Sequence, residues 1–235
     1  MTTPVAVLTG ATGGLGTALT ARLIKRGYLI GATYLVPDEA TAYETAFLHD
    51  EDQVLLQRVD AVEPDEITAF MDATAERFGR IDAVAALVGG WAGGRDVAET
   101  DNVRFERMID LNLKSAFYTV RAAIPHLEAA GGGRILLVAS RAAIDNPPGQ
   151  AAFNVAKAGV VALAKSVAQE LEEVKITVNV LLPSVIDTPA TREALPFSDY
   201  MTWPTPDEIA AVAEFVMAGE ARVISGGAIP VYGRA

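Results

Sequence analysis

Short apolar runs alternate with amphipathic stretches along almost the whole chain, and this order limits the possible folds most. The run Val5–Leu8 is followed by leucines at positions 15, 19 and 23, the spacing of one helix face. Ile135–Ala139 is apolar throughout, as in a strand buried on both sides. Ile176–Val180 alternates apolar and polar residues, which predicts one less covered face. We predict strands at 5–8, 28–34, 54–59, 83–88, 134–139, 176–182 and 228–232, and helices from 15 and at 38–48, 64–78, 101–129, 150–174 and 206–218.

Strands that alternate with helices predict an α/β fold. We therefore expect a doubly wound parallel sheet of about seven strands, covered by helices on both faces, in a single domain over residues 1–235. The long irregular stretch 184–205, rich in proline, follows a strand and is predicted to form a lid over a substrate.

Charge and composition argue against several function classes. The chain has 30 acidic and 19 basic residues, a net charge of −11, whereas nucleic-acid and anionic-membrane surfaces need clustered basic residues. It has no cysteine, hence no disulfide or thiolate site. The chain shows no signal-peptide pattern and no apolar run of about eighteen residues, so we expect a cytoplasmic protein with a small-molecule partner. His49 and His126 lack ligand spacing, and we expect surface histidines and no metal site.

A glycine-rich segment, Thr9–Gly16, directly follows the first predicted strand and opens the first predicted helix. Gly10, Gly14 and Gly16 allow a tight turn and a close backbone approach to a pyrophosphate. The helix that follows points its first N–H groups at the phosphate charge. The segment therefore predicts a dinucleotide site.

Ser140 stands at the end of the predicted strand 134–139, Phe153 follows thirteen residues later, and Lys157 follows one helical turn after Phe153. Together with the glycine-rich segment and Asn112, this layout resembles the short-chain dehydrogenase/reductase family, over nearly the whole chain. The resemblance implies a Rossmann-like domain that binds NAD or NADP. It also implies that Asn112 holds a water, Ser140 binds the substrate oxygen, and Lys157 binds the nicotinamide ribose and lowers the pKa of a neighbouring hydroxyl.

That family carries tyrosine where this chain has Phe153, and phenylalanine can neither donate nor accept a proton. The resemblance therefore implies a reductase or dehydrogenase of a carbonyl or imine whose activity is impaired or altered. Protonation would come from Lys157, from a water held by Asn112, or from the substrate. Alternatively, Phe153 silences an ordinary enzyme, or the chain is a non-catalytic dinucleotide-binding protein with a regulatory or structural role.

The resemblance also implies the cofactor contacts. The end of the second strand, Tyr34, is neither acidic nor basic, but Asp38 and Glu39 nearby favour NAD over NADP by repelling a 2′-phosphate. Arg22 and Lys25, on the first helix, are expected to be solvated. The expected cofactor-binding residues are Gly10, Thr12, Gly13, Gly14, Leu15, Gly16, Tyr34, Asp60, Ala61, Gly89, Lys157, Pro183, Ile186 and Thr188.

Two loops, Gly89–Gly94 and Leu182–Pro189, resemble those of the dihydropteridine reductase branch of the family. That branch has the tyrosine and lacks the serine, so the likeness rests on the loops and makes a pterin-like ring one candidate substrate. A planar, partly polar ring would suit the expected substrate residues Trp91, Arg141, Gln150, Tyr200 and Trp203. The resemblance further implies a homo-oligomer, a tetramer or dimer, with 151–168 and 228–232 as expected contact surfaces.

Overall fold

The computed structural model describes residues 2–47 and 52–234. The strands of the described residues are β1 Val5–Thr9, β2 Leu29–Tyr34, β3 Val54–Arg58, β4 Ala83–Ala86, β5 Gly133–Val138, β6 Ile176–Pro183 and β7 Ala228–Val231. These seven parallel strands form one sheet in the order β3-β2-β1-β4-β5-β6-β7. The strand order reverses at β1, which lies between β2 and β4, as in doubly wound folds.

Helices cover both faces of the sheet. They are α1 Gly14–Lys25, α2 Pro37–Phe47, α3 Pro64–Phe78, α4 Asn102–Ile109, α5 Ser115–Ala129, α6 Ala142–Asp145, α7 Ala151–Glu170, α8 Pro189–Ala194 and α9 Pro206–Met217. One core forms between the sheet and α3, α5 and α7, and the other between the sheet and α1, α2 and α9. The predicted α/β fold is confirmed, and each predicted strand agrees with the observed one to within two residues.

Two predicted helices are divided differently. The stretch 101–129 contains a π-helical turn, Asp110–Lys114, between α4 and α5, and 150–174 ends as α7 at Glu170 before a short 3-10 turn. The short helices α6 and α8 were not predicted, since neither is long enough to show a period. Position 48, the predicted end of the second helix, lies outside the described residues, as does His49.

The prediction of a less covered face on β6 is wrong, because all eight of its residues are buried. The polar position Asn179 is satisfied internally: its amide nitrogen donates to the Ile224 carbonyl (2.7 Å), and its oxygen accepts from the Gly227 N–H (3.0 Å). Asn179 thereby fixes the segment that leads into β7. In a sequence pattern, a buried polar residue with internal hydrogen bonds cannot be distinguished from an exposed one.

The expectation that Arg22 is solvated is also wrong. Its guanidinium pairs with Asp207 (2.7 Å) and Glu214 (3.1 Å) on α9, so it joins α1 to α9. His126 is half-buried beside Asp72 (3.2 Å), and the described residues contain no cluster of potential metal ligands. Among the described helices, α7 alone has the length and composition of a membrane span, and half or more of it is buried inside the protein.

Candidate active site

The predicted site residues gather at the carboxyl ends of the strands. The glycine-rich loop leaves β1, Gly89 follows β4, Ser140 follows β5, and Ile186 and Thr188 follow β6. Parallel strands end at one edge of the sheet, and ligands of doubly wound folds bind there, where the strand order reverses. The topology therefore brings residues from four distant parts of the sequence to one edge of the sheet.

The glycine-rich loop is folded too tightly for side chains at two positions. Gly10 has φ +71°, and a Cβ there would lie 3.0 Å from the Val88 side chain. A Cβ on Gly16 would lie 2.5 Å from the Ala11 carbonyl oxygen, an impossible contact. The loop is held to β2, because the Gly10 N–H donates to Thr33 Oγ1 (3.0 Å) and the Ala11 N–H to the Thr33 carbonyl (2.9 Å).

The start of α1 suits an anionic ligand. Gly13 precedes the helix without a capping side chain, and the first turn has no acidic residue, so its N–H groups have no side-chain acceptor in the described structure. The methyl group of Thr188 lies against Gly14, where a Cβ would be 3.0 Å away. Leu15 is buried in the core and orients the helix. These residues fit the pyrophosphate of a dinucleotide.

The other predicted cofactor residues differ in their hydrogen bonds and in their burial. Thr188 caps α8 by accepting from the Thr191 N–H (3.2 Å). Pro183 ends β6 and its carbonyl accepts from the Arg141 N–H (2.8 Å). Asp60 forms a turn, with its carboxylate accepting from the Val62 N–H (3.1 Å). Tyr34 and Ile186 are half-buried, whereas Ala61 is buried.

The polar centre of the candidate site is formed by Asn112 and Lys157, which meet beside Gly89. A Cβ built on Gly89 would lie 2.9 Å from Asn112 Oδ1 and 3.0 Å from Lys157 Nζ, so both groups face the same point. Asn112 sits in the π-helical turn, where its amide nitrogen donates to the Met108 carbonyl (3.0 Å) and its oxygen accepts from the Gly90 N–H (3.1 Å). Single π turns inside helices often occur at functional sites.

Lys157 is a buried cation on α7, 6% exposed. Its ammonium donates to the Val138 carbonyl at the end of β5 (2.9 Å), and no carboxylate among the described residues pairs with it. Burial alone lowers the pKa of Lys157 to about 8, because removal from water disfavours the charged form. Lys157 is therefore charged at neutral pH but releases its proton more readily than an exposed lysine.

Phe153 lies one helical turn before Lys157, and the ring centroid is 5.9 Å from Lys157 Nζ. The ring is buried with Met108, Ala142 and Ala152 in a small apolar cluster. Ser140, two residues before Ala142, is half-buried. Its Oγ accepts a hydrogen bond from the Ala142 N–H (3.1 Å), so the hydroxyl hydrogen can still donate to a ligand.

The predicted substrate residues fall into two groups. Trp91 and Gln150 are joined, since the indole N–H donates to the Gln150 amide oxygen (2.8 Å). Gln150 in turn donates to Asn154 (3.0 Å), and Asn154 donates to the Pro147 carbonyl (2.9 Å). Asn154 was not predicted from the sequence, although its i, i+4 spacing from Gln150 indicates that the two side chains are neighbours on α7.

The second group belongs to 184–205 and its contacts. The rings of Tyr200 and Trp203 meet edge to face at 5.8 Å, and the Arg192 guanidinium lies 4.7 Å from the Tyr200 centroid. Arg141 pairs with Asp145 (2.6 Å) and lies over the Tyr232 ring (5.0 Å). Tyr200 and Trp203 therefore lie in the irregular stretch, whereas Arg141 connects α6 with the C-terminal segment.

Known proteins resemble the chain in sequence and in fold. The sequence pattern of the short chain dehydrogenase family matches residues 4–198. A 2-(R)-hydroxypropyl-CoM dehydrogenase of Xanthobacter autotrophicus is 34% identical over 195 residues, which cover 80% of this chain and 76% of the relative. A D-beta-hydroxybutyrate dehydrogenase of Rhizobium meliloti is 36% identical over 200 residues, covering 83% and 76%.

Among solved structures, a carveol dehydrogenase of Mycobacterium avium in complex with NAD superposes with a TM-score of 0.91 at 24% identity, covering 99% of this chain and 97% of that one. This likeness supports the fold. The family match extends over most of the chain, and the two relatives exceed 30% identity over four fifths of it. The chain belongs to the short-chain dehydrogenase/reductase family of oxidoreductases.

Proposed function

We propose that the protein is a nicotinamide-dinucleotide-dependent reductase or dehydrogenase of a small carbonyl or imine compound, in which Lys157 replaces the family's tyrosine as the proton donor. The observation that carries the proposal is the buried Lys157 ammonium, which faces the point beside Gly89 together with Asn112. The names of the two relatives, both dehydrogenases, support redox chemistry. A pterin-like ring remains one candidate substrate.

The bound dinucleotide would supply or accept the hydride at the substrate carbon. Gly10, Gly13, Gly14 and Gly16 would hold its pyrophosphate through backbone N–H groups. Gly89, Pro183, Ile186 and Thr188 would enclose its nicotinamide half. Tyr34, Asp60 and Ala61 would lie at its adenosine half. Each of these assignments follows from position at the carboxyl edge and from the resemblance in sequence.

Lys157 and Ser140 would complete the reaction at the substrate oxygen. In reduction, hydride addition to the carbon moves the carbon–oxygen π electrons onto oxygen. The Ser140 hydroxyl would donate a hydrogen bond to that oxygen, and the Lys157 ammonium would give it a proton, leaving a neutral amine. A water held by Asn112 would restore the proton from solvent. An acid with a pKa near the working pH is well suited to this step, and that of Lys157 is about 8.

We further propose a preference for NAD, based on Glu39. Thr12 in the glycine-rich loop donates to the Glu39 carboxylate (3.0 Å), which brings a negative charge from α2 to the loop. A 2′-phosphate near this loop would be repelled. Arg58, the neighbour of Tyr34 across β2 and β3, carries the opposite charge, so the preference is expected to be moderate.

Two structural expectations remain proposals. Residues 184–205 would act as a lid, because Phe197 is fully exposed and Met201 largely so, and both are available to cover an apolar ligand.

A homo-oligomer would use the exposed apolar residues Phe117 on α5 and Val155 on α7. Much of the predicted contact surface 151–168 is already buried within the chain. Light scattering would give the subunit number.

One observation favours the second candidate, a dinucleotide-binding protein without turnover. The Phe153 ring fills an apolar cluster with Met108 and Ala142 and offers no group for proton transfer. A chain of this kind would still bind the cofactor through the glycine-rich loop. The two candidates therefore differ in turnover and not in dinucleotide affinity.

The test compares the wild type with Phe153→Tyr. Oxidation of NADH and NADPH would be followed with quinonoid dihydropteridine and a panel of small ketones, and dinucleotide affinity would be measured by calorimetry. We expect slow turnover by the wild type and a gain of about a hundredfold in Phe153→Tyr, since positioned acid–base help is worth about 10²–10⁴ in rate. Phe215→Tyr, which adds the same hydroxyl to an exposed ring on α9, is the control.

Each outcome separates the candidates. Turnover by the wild type supports an enzyme, and a faster Phe153→Tyr variant supports an intact hydride-transfer geometry. Dinucleotide binding without turnover in either protein supports the non-catalytic candidate. Absence of dinucleotide binding would overturn both.

A further inference from the structure

A second cavity lies at the opposite edge of the sheet from the glycine-rich loop. Its volume is about 1110 Å³. The amino ends of β5 and β6 form its floor, the end of α7 one wall, and the segment 222–226 another. Strand amino ends lie at the far edge from the dinucleotide site in a parallel sheet, so none of the proposed catalytic residues lines this cavity.

Two neighbouring buried atoms beside this cavity, Arg134 Nε and Thr177 Oγ1, have no hydrogen-bond partner among the described residues. Arg134 and Thr177 are aligned across β5 and β6 and therefore point to the same face of the sheet. Thr177 is 8% exposed, and its buried Oγ1 makes no hydrogen bond within the described structure. The buried Nε of Arg134 likewise has no acceptor among the described residues, although its Nη1 donates to the Gly133 carbonyl (2.7 Å).

The charges around these two groups are mainly positive. Arg222, Lys165 and Lys175 also line the cavity. Two carboxylates line the cavity, Asp82 and Glu172. Asp82 already accepts hydrogen bonds from Arg80 and from the Val5 N–H, so Glu172 is the remaining carboxylate that could balance these cations. This is a local excess of cations in a chain with net charge −11.

Arg134 and Arg222 are close enough to influence each other. Burial lowers the pKa of Arg134; the neighbouring Tyr28 opposes this change, and the Arg222 charge adds to it. A water molecule could satisfy the Arg134 Nε and the Thr177 hydroxyl, but it would not relieve repulsion between two guanidinium groups. An anion does both, because it accepts hydrogen bonds and carries the opposite charge.

We propose that Arg134, Thr177 and Arg222 form a binding site for an oxyanion group of a small molecule, a phosphate or a carboxylate. Arg134 and the Thr177 hydroxyl would donate to its oxygens from the floor of the cavity, and Arg222 would approach from the exposed segment 222–226. The volume of the cavity leaves room for the remainder of the molecule. This site is independent of the proposed redox function.

Calorimetric titration of the full chain with inorganic phosphate, pyrophosphate and citrate tests the proposal and separates phosphate from carboxylate ligands. We expect at least one to bind, and Arg134→Gln to weaken it at least about tenfold, as for loss of a hydrogen bond to a charged group. Thr177→Val should weaken it less. Arg107→Gln, which removes an exposed arginine on α4 outside this cavity, should bind like the wild type.

The variants also distinguish this site from the glycine-rich loop, which could itself bind pyrophosphate. Binding that is unchanged in Arg134→Gln and in Thr177→Val would overturn the proposal, as would no binding of the three anions at millimolar concentration. Melting curves of each variant establish that it folds. A melting temperature that rises with the bound anion, and not with chloride at equal ionic strength, would add support.

Discussion

Lys157 and Arg134 mark opposite edges of the same sheet, and each is a shielded cation without a carboxylate partner in the described structure. Lys157, at the carboxyl edge, is buried and has a backbone acceptor in Val138. Arg134, at the amino edge, is half-buried and retains an Nε without an acceptor. By contrast, Arg22 on α1 and Arg26, which directly follows that helix, are paired with carboxylates. Shielded cations that remain unpaired in an acidic chain indicate places where ligands supply the negative charge or take the proton.

The largest effect is expected from Lys157→Met, which removes the proposed acid and ribose contact while preserving much of the side-chain volume. Turnover should fall by about 10²–10⁴, the usual contribution of positioned acid–base catalysis. Steady-state kinetics and dinucleotide calorimetry would measure the loss. Lys25→Met, at an exposed position on α1, is the matched control. Unchanged turnover in Lys157→Met would remove this lysine from the mechanism.

The same substitution should stabilise the fold. The folded-state pKa of Lys157, about 8, lies below its ordinary value of 10.5, so the charged form is disfavoured by roughly 3 kcal/mol on folding. Loss of the hydrogen bond to Val138 offsets about 1 kcal/mol of this. Lys157→Met should therefore be more stable by about 2 kcal/mol at pH 7, measured by denaturant unfolding.

The pH dependence provides the internal check. Between pH 8 and 10.5 the unfolded chain binds more protons at this lysine than the folded chain, so the free energy of unfolding of the wild type should rise with pH across that window. Below pH 8 the cost of burying the charge is fully present. Lys157→Met should lack this rise. An equal rise in both proteins would show that Lys157 is not the source.

A smaller effect is expected within the glycine-rich loop. Gly16→Ala places a Cβ 2.5 Å from the Ala11 carbonyl oxygen, so α1 must move away from the loop. Such overpacking costs about 1–3 kcal/mol and should weaken dinucleotide binding. Gly13→Ala is the matched control for fold stability, since its nearest contact would be an ordinary 3.6 Å and its φ is −67°. Equal stability of the two variants would contradict the close approach seen at Gly16.

The sequence indicated a site at the carboxyl edge of the sheet and none at the amino edge. Alternation of apolar runs and amphipathic stretches located all seven strands, because each is short and bounded by turns. The glycine-rich loop and the Ser140 to Lys157 spacing were visible because those residues lie close together in the chain. Arg134 and Thr177 come from separate strands, and only the register of β5 with β6 brings them side by side.

Asn179 and the π-helical turn at Asn112 illustrate a second limit of the sequence. Asn179 resembled an exposed strand position, and its two partners, Ile224 and Gly227, are more than forty residues away. The π turn interrupts a helix whose period continues through it, so 101–129 was predicted as one helix. Long-range hydrogen bonds and local changes of helical pitch leave little trace in an apolar pattern.

The smallest effect concerns cofactor choice at the carboxyl edge. Glu39 is exposed, so its charge is screened and should contribute less than about 1 kcal/mol. Glu39→Gln should therefore raise the affinity for NADPH relative to NADH by roughly twofold to fivefold at low salt, an energy below that limit. Arg58→Gln should change the ratio in the opposite direction. If charge is the cause, the ratios of the wild type and of Glu39→Gln should converge at high ionic strength, because salt screens the Glu39 carboxylate of the wild type. A difference that persists at high salt would indicate that the Thr12 to Glu39 hydrogen bond acts by shaping the loop.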